Sequence, residues 1–196
     1  MYAYIIGKIT HKSPTDIYLE ANGVGYHLHI SLNTYSEIEP LTEVKLFTHF
    51  HVKEDAQTLY GFFTNEEKSI FQLLISVSGI GPNTARILLS SLKPQEVQKA
   101  IVHEDVLTFN KVKGIGPKTA KRIILDLKDK VIKNVDDLLI SSGPNHNTDK
   151  NEALSALIAL GFPKSSIEKM LDKVISSSEA ELNVEQLIKE VLKQLR

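Results

Sequence analysis

Cysteine is absent from the 196 residues. That excludes a disulfide framework, a thiolate metal site and a cysteine nucleophile, and it fits a reducing compartment. Long apolar runs are missing too: no stretch approaches the roughly 20 residues that a membrane helix needs. The opening MYAYIIGKIT is apolar but alternating, and no basic region leads into an apolar run, so no secretory signal is expected there. What the chain does have is an ordinary globular balance, 42% hydrophobic and 24% charged, with a net charge of only -1. That charge is unevenly spread. Residues 1–62 carry 4 Lys/Arg against 7 Asp/Glu, residues 63–133 carry 12 against 7, and residues 134–196 carry 7 against 10. A basic middle between acidic ends suits a chain in which one segment meets a polyanion.

Residues 1–63 read as β. Short runs rich in Ile, Val, Tyr, Phe and Leu cover Tyr2 to Thr10, Asp16 to Glu20, Val24 to Ile30, Val44 to Val52 and Thr58 to Phe63. Turn signals separate them at Ser13-Pro14, Asn22-Gly23 and Glu39-Pro40, and Asn22-Gly23 is a strong hairpin signal. Five such strands in about 60 residues suit a small closed barrel of the OB type, with an SH3-like barrel as the competitor. Residues 64–133 read as helical. Thr64-x-x-Glu67 predicts a capping box opening a helix through Val77, Pro94 suits a first helical position, and Lys121 to Lys133 keeps Ile124, Leu127 and Val131 on one face. Residues 134–150 read as a flexible linker, because Ser141 to Thr148 is polar with nothing to bury. Residues 151–196 predict three short amphipathic helices: one from about Glu152 to Gly161, one following Pro163, and one capped by Asn183 with Leu187, Val191 and Leu195 on a stripe. The fold class is thus α+β and multidomain.

The middle segment repeats itself. Ser78-Gly79-Ile80-Gly81-Pro82-Asn83-Thr84-Ala85 returns 35 positions later as Lys113-Gly114-Ile115-Gly116-Pro117-Lys118-Thr119-Ala120. Each copy follows an apolar segment and precedes a helix, which is the pattern of a helix-hairpin-helix unit. The glycines allow a tight turn and clear side chains from the approach surface. The isoleucine turns inward, and the proline suits the first turn of the next helix. Unpaired N–H groups at that helix N-terminus form an anion site that a DNA phosphate fits, holding backbone and reading no sequence. Candidate DNA-binding residues are therefore Gly79, Gly81, Asn83, Thr84 and Arg86 in the first unit, and Gly114, Gly116, Lys118, Thr119, Lys121 and Arg122 in the second. The plain alternative is an αα-hairpin whose glycines only permit close packing. Two copies on a basic segment favour DNA.

Other readings fail on particular residues. No strand precedes either copy and the third glycine is missing, which argues against a dinucleotide fingerprint. Gly116-Pro117-Lys118-Thr119 lacks the Gly-Lys-Ser/Thr ending of a phosphate loop, so no ATP hydrolysis is expected. A DNA glycosylase would need a catalytic carboxylate such as Asp126 or Asp129, but about 70 helical residues leave little room for a base-flipping pocket. The pairs His27/His29 and His49/His51 have chelating spacing, yet nothing in the sequence supplies their partners, so they read as exposed strand histidines. Phe71 and Phe109 read as core. No catalytic residue, metal or cofactor is expected.

The whole chain, in order, resembles the RuvA family, the Holliday-junction-binding subunits of the bacterial branch-migration complex. The likeness is carried by Thr48 through Phe62, by Gly23-Val24-Gly25-Tyr26 and by both hairpins. It implies an OB-fold barrel, a tandem helix-hairpin-helix domain and a three-helix C-terminal module similar to ubiquitin-associated bundles. It implies a non-catalytic subunit of an ATP-dependent complex, active in recombination and DNA repair in the bacterial cytoplasm. It implies an acidic pin at Glu54 and Asp55, whose carboxylates would ring the centre of a homotetramer or octamer and repel phosphates at the crossover. It implies that residues 151–196 dock on the RuvB motor ATPase, and it extends to contact with the RuvC resolvase. Two departures stand out: Asn83 where basic side chains are common in the family, and Lys53 where arginine is frequent, which removes a bidentate contact.

Overall fold

The computed structural model describes residues 2–140, 146–177 and 182–194, and the chain divides into two compact units, residues 1–132 and 133–196. The first unit opens with strands β1 (Tyr4–Lys12), β2 (Asp16–Ala21) and β3 (Val24–His29), a short helix α1 (Leu32–Ile38), and strands β4 (Glu43–Val52) and β5 (Gln57–Phe62). The strands close a barrel in the order β1-β2-β3-β5-β4, which is the five-stranded arrangement expected of an OB fold. Asn22 and Gly23 both have positive φ, 51° and 80°, as a two-residue primed hairpin turn requires. That turn sets the register: Ala21 faces Val24 and, at the far end, Asp16 faces His29. Alternation along the strands turns Ile5, Ile17, Leu19, Leu28, Leu46 and Leu59 inward as the barrel core.

Helix α1 has no counterpart in the sequence reading. Ser31 caps it, its hydroxyl accepting from the Thr34 N–H at 3.0 Å. Five further helices follow the barrel: α2 (Asn65–Ile75), α3 (Pro82–Ser91), α4 (Pro94–Val102), α5 (Val106–Asn110) and α6 (Pro117–Ile140). Thr64 caps α2 as expected, its hydroxyl accepting from the Glu67 N–H at 3.1 Å. The other half of the predicted capping box is absent. Glu67 turns away into the protein, where Ser31 donates to one carboxylate oxygen and Thr34 donates to the other at 2.6 Å. Burial pushes the Glu67 carboxyl above its ordinary range, against the pull of those hydroxyls. This buried contact, with the Asn33 amide donating to the Leu89 and Leu92 carbonyls, ties the barrel to α2 and α3. Barrel and hairpin region, read from the sequence as separate domains, therefore fall within one compact unit. Phe71 and Phe109 are fully buried, as core residues should be.

The helix read from Lys121 to Lys133 runs further. After Pro117 the next glycine and proline are Gly143 and Pro144, so nothing breaks α6 before Ile140. In the second unit, α7 (His146–Ala159) already starts at His146. Residues 134–140 and 146–150, read as linker, are thus helical, and residues 141–145 lie outside the described residues. Helices α8 (Lys164–Ser177) and α9 (Val184–Gln194) complete the bundle, with Ala153, Leu157, Ile167, Leu171, Leu187 and Val191 as its core. Gly161, with φ 95°, ends α7 in the left-handed conformation that favours glycine. Asn183 and Gln186 exchange the reciprocal bonds of a capping box at 2.9 and 3.0 Å. Leu195, placed on the α9 stripe from the sequence, lies outside the described residues.

Candidate nucleic-acid interface

The sequence repeat is also a repeat of geometry. Gly79 and Gly114 have φ of 91° and 90°. The N–H of Ile80 donates to the Val77 carbonyl, and that of Ile115 to the Val112 carbonyl, both at 3.1 Å. Ile80 and Ile115 are buried, and so are Ala85 and Ala120 behind them. Helix α3 starts at Pro82 and α6 at Pro117, the same position of each copy. The first intrahelical bonds, Ala85 to Gly81 and Ala120 to Gly116, measure 3.0 and 2.9 Å. A side chain built on Gly81, Gly114 or Gly116 would meet nothing within 4 Å, so these glycines are not there to let protein pack closely. They leave open surface in front of each helix N-terminus. Gly81 caps α3 with no side-chain bond to the first turn. The N–H groups of Asn83 and Thr84 are the leading donors of that turn, and the helix dipole adds partial positive charge there. Two equivalent clusters of open N–H groups result, of the kind that suits an anion.

Their charged surroundings differ. Around the second hairpin Lys113, Lys118, Lys121 and Arg122 are exposed. The corresponding residues of the first are Ser78, Asn83, Arg86 and Ile87. Of these only Arg86 is basic, and its guanidinium is turned to the barrel. It donates to the Thr15 carbonyl at 3.0 Å and lies 3.5 Å from His29 Nδ1. Arg122 reaches from α6 to the first hairpin, donating to the Ser78 carbonyl at 3.1 Å. It thus brings the second copy's cation to the first copy's turn. Among the described residues neither Lys118 nor Lys121 is in an ion pair, which leaves both ammonium groups available to an anion.

Glu54 and Asp55 occupy the turn between β4 and β5. The Lys53 N–H donates to the Ala56 carbonyl at 2.8 Å and closes that turn, and the two carboxylates project into solvent.

The histidines are less exposed than the sequence reading held. His27 is exposed, but His29, His49 and His51 are half-buried. His27 and His29 also have a partner that the reading missed. Asp16 Oδ1 lies 3.0 Å from His27 Nε2 and 2.6 Å from His29 Nδ1. The signal was present in the hairpin turn: a two-residue loop at Asn22-Gly23 places Asp16 opposite His29. Partial burial works against the Asp16 carboxylate, but hydrogen bonds from Thr15 and His27 and the nearby His29 ring hold its pKa below the ordinary range. Burial lowers the His29 pKa, aided by Arg86 and opposed by Asp16.

The matches to known proteins follow the same architecture. The family model described as RuvA N terminal domain matches residues 1–61, the SAM-like helix-hairpin-helix tandem matches residues 71–129, and the RuvA C-terminal domain matches residues 148–196. The Flavobacterium psychrophilum protein named Holliday junction branch migration complex subunit RuvA is 50% identical over 197 residues, covering 100% of both chains. The Cytophaga hutchinsonii protein of the same name is 48% identical over 98% of this chain and 99% of its own length. The one from Geobacter sulfurreducens is 41% identical over 100% of this chain and 99% of its own. With barrel, twin hairpins and C-terminal bundle each matched in order, the chain belongs to the RuvA family.

Proposed function

We infer that the protein binds Holliday junctions and acts as the non-catalytic DNA-binding subunit of a branch-migration complex in recombination and DNA repair. The observation that carries this is the pair of congruent hairpins, each offering an open helix N-terminus, in a chain similar over its full length to proteins named for that complex. Gly79, Gly81, Asn83, Thr84, Gly114, Gly116, Lys118, Thr119 and Lys121 form the phosphate contacts, backbone amides first and ammonium groups second. Arg122 braces the two hairpins against each other, and Arg86 braces the first against the barrel. Contacts of this kind grip backbone and tolerate any sequence, as a subunit must if DNA is to slide through it.

A junction has four arms, and four copies of this chain around one axis would present one pair of hairpins to each. Glu54 and Asp55 of all four copies then face the crossover, where they repel phosphates and keep the arms apart. The homotetramer supplies this arrangement, and an octamer would sandwich the junction from both sides. Residues 151–196 dock on the motor ATPase RuvB. Ile158 and Leu160, 41% and 62% exposed at the end of α7, are the apolar side chains offered to it. The RuvC resolvase is a further partner, and the bacterial cytoplasm is the compartment of the work. No helix among the described residues is long and apolar enough to cross a membrane.

The test is competition between a synthetic four-way junction and linear duplex of equal length, with Glu54→Gln/Asp55→Asn alongside. A junction preference of at least about 100-fold supports the reading. So does a double variant that binds junction as well as the parent but alters branch migration by the motor. Equal affinity for the two DNAs would leave a generic hairpin binder.

A further inference from the structure

Asp16, His27 and His29 bring three metal-ligating groups to one face of the β2–β3 hairpin. His27 and His29, two residues apart on β3, point to the same side, and Asp16 on β2 is the direct cross-strand partner of His29. Asp16 Oδ1, His27 Nε2 and His29 Nδ1 all lie within 4.8 Å of one another. We propose that this triad is a binding site for one divalent transition ion of the zinc class. A tetrahedral zinc ion with bonds of about 2.0–2.2 Å spaces its ligand atoms about 3.3 Å apart. Asp16 Oδ1 has to move outward by about 0.3 Å from His27 and about 0.7 Å from His29, starting from its present 3.0 and 2.6 Å contacts. The two rings, with centroids 4.9 Å apart, have to close slightly, and the exposed His27 ring has the room to do so.

Two imidazoles and one carboxylate select zinc, cobalt, nickel or copper over magnesium and calcium, which prefer sites built of oxygen alone. At 2.6 Å the Asp16–His29 contact is a hydrogen bond with the proton on Nδ1, so the ion replaces that proton and takes over its bridging position. Three ligands leave the remaining coordination to solvent on the exposed side of the hairpin. One neighbour opposes the ion. The Arg86 guanidinium lies 3.5 Å from the same His29 nitrogen, and its positive charge raises the cost of a divalent cation there. The opposition also identifies the site, because histidines elsewhere on the barrel, His49 and His51 included, have no arginine set against them in this way.

Isothermal titration of the full-length protein with zinc chloride tests the proposal, with Asp16→Asn, His27→Gln, Arg86→Gln and His49→Gln/His51→Gln as variants. The expected result is one ion per chain, weakened at least about tenfold by Asp16→Asn and by His27→Gln. The His49/His51 variant should bind within about threefold of the parent, and Arg86→Gln should bind about tenfold tighter. Cobalt-induced broadening of the parent's histidine NMR signals gives a second readout that needs no variant: His27 and His29 should respond before the other five. No saturable binding below millimolar zinc, binding carried by His49 and His51, or first broadening at other histidines would each overturn it.

Discussion

The two hairpins share a backbone and differ in charge. Their glycine φ angles agree to a degree, their turn bonds have the same length, and Val77, Ile80 and Ala85 are buried as Val112, Ile115 and Ala120 are. Yet the first presents Ser78 and Asn83 where the second presents Lys113 and Lys118. Its one basic residue, Arg86, is spent on the Thr15 carbonyl, whereas the equivalent Lys121 is exposed. The fold therefore supplies the amide site twice, and the side chains supply charge mainly once. The first copy is the one fastened to the barrel, through Arg86, Asn33 and Glu67. On the proposed reading, it holds DNA in a fixed relation to the barrel, and the second supplies more of the salt-dependent attraction.

The largest effect should come from stripping the second hairpin. Lys118→Ala/Lys121→Ala is expected to weaken junction binding at least about 100-fold near physiological salt, since each charge-assisted contact is worth roughly 1.5–3 kcal/mol. Filter binding or fluorescence anisotropy would show it, and a loss under tenfold would mean that the lysines are not phosphate ligands. The reverse experiment is Asn83→Lys, which makes the first hairpin resemble the second. It should raise affinity by up to about tenfold and steepen the salt dependence.

The glycines separate stability from binding. Gly79→Ala and Gly114→Ala force a side chain into the left-handed region and should cost about 1–2 kcal/mol of stability each, measured by denaturant unfolding. Gly81→Ala keeps an ordinary φ of -87° and meets no protein atom, so stability should hold while DNA affinity falls. If Gly81→Ala binds DNA normally, the open surface at that helix start is not where phosphate sits.

The smallest effect concerns the attachment of the first hairpin. The Glu67 pKa is raised above its unfolded value of 4.5, so its contribution to stability is fully present below pH 4.5 and lost as pH rises through the folded value. Glu67→Gln, which stays neutral while still reaching Ser31 and Thr34, should flatten that part of the stability-pH curve. Unfolding midpoints at pH 4 and pH 8 that shift equally in parent and variant would contradict it.

Much of this is legible in the sequence. Alternation and the Asn22-Gly23 turn define the barrel, and the 35-residue repeat predicts two turns that prove congruent. What was missed depends on contacts distant in sequence. Helices α1 and α5 are only 7 and 5 residues long, too short for periodicity to register, and are specified by caps at Ser31 and Asp105. Glu67 looked like a capping residue because its spacing from Thr64 is right, but the pull of two hydroxyls 33 and 36 positions away wins. Arg86 looked like a phosphate ligand because it follows the motif. The folded barrel adds that its guanidinium also donates to the Thr15 carbonyl. The polar stretch at 134–150 read as linker on composition, although no helix-breaking residue precedes Gly143.

Two equivalent amide sites carry unequal charge, and the salt dependence of junction binding is the most direct test of that inequality. Each lost phosphate contact lowers the log–log slope by about 0.9, so one substitution in a fourfold complex lowers it by nearly 4. Lys118→Ala should show that drop, whereas Asn83→Ala, which keeps the backbone N–H, should leave the slope unchanged. Equal slope changes for the two variants, or none for Lys118→Ala, would contradict the division of labour between the hairpins.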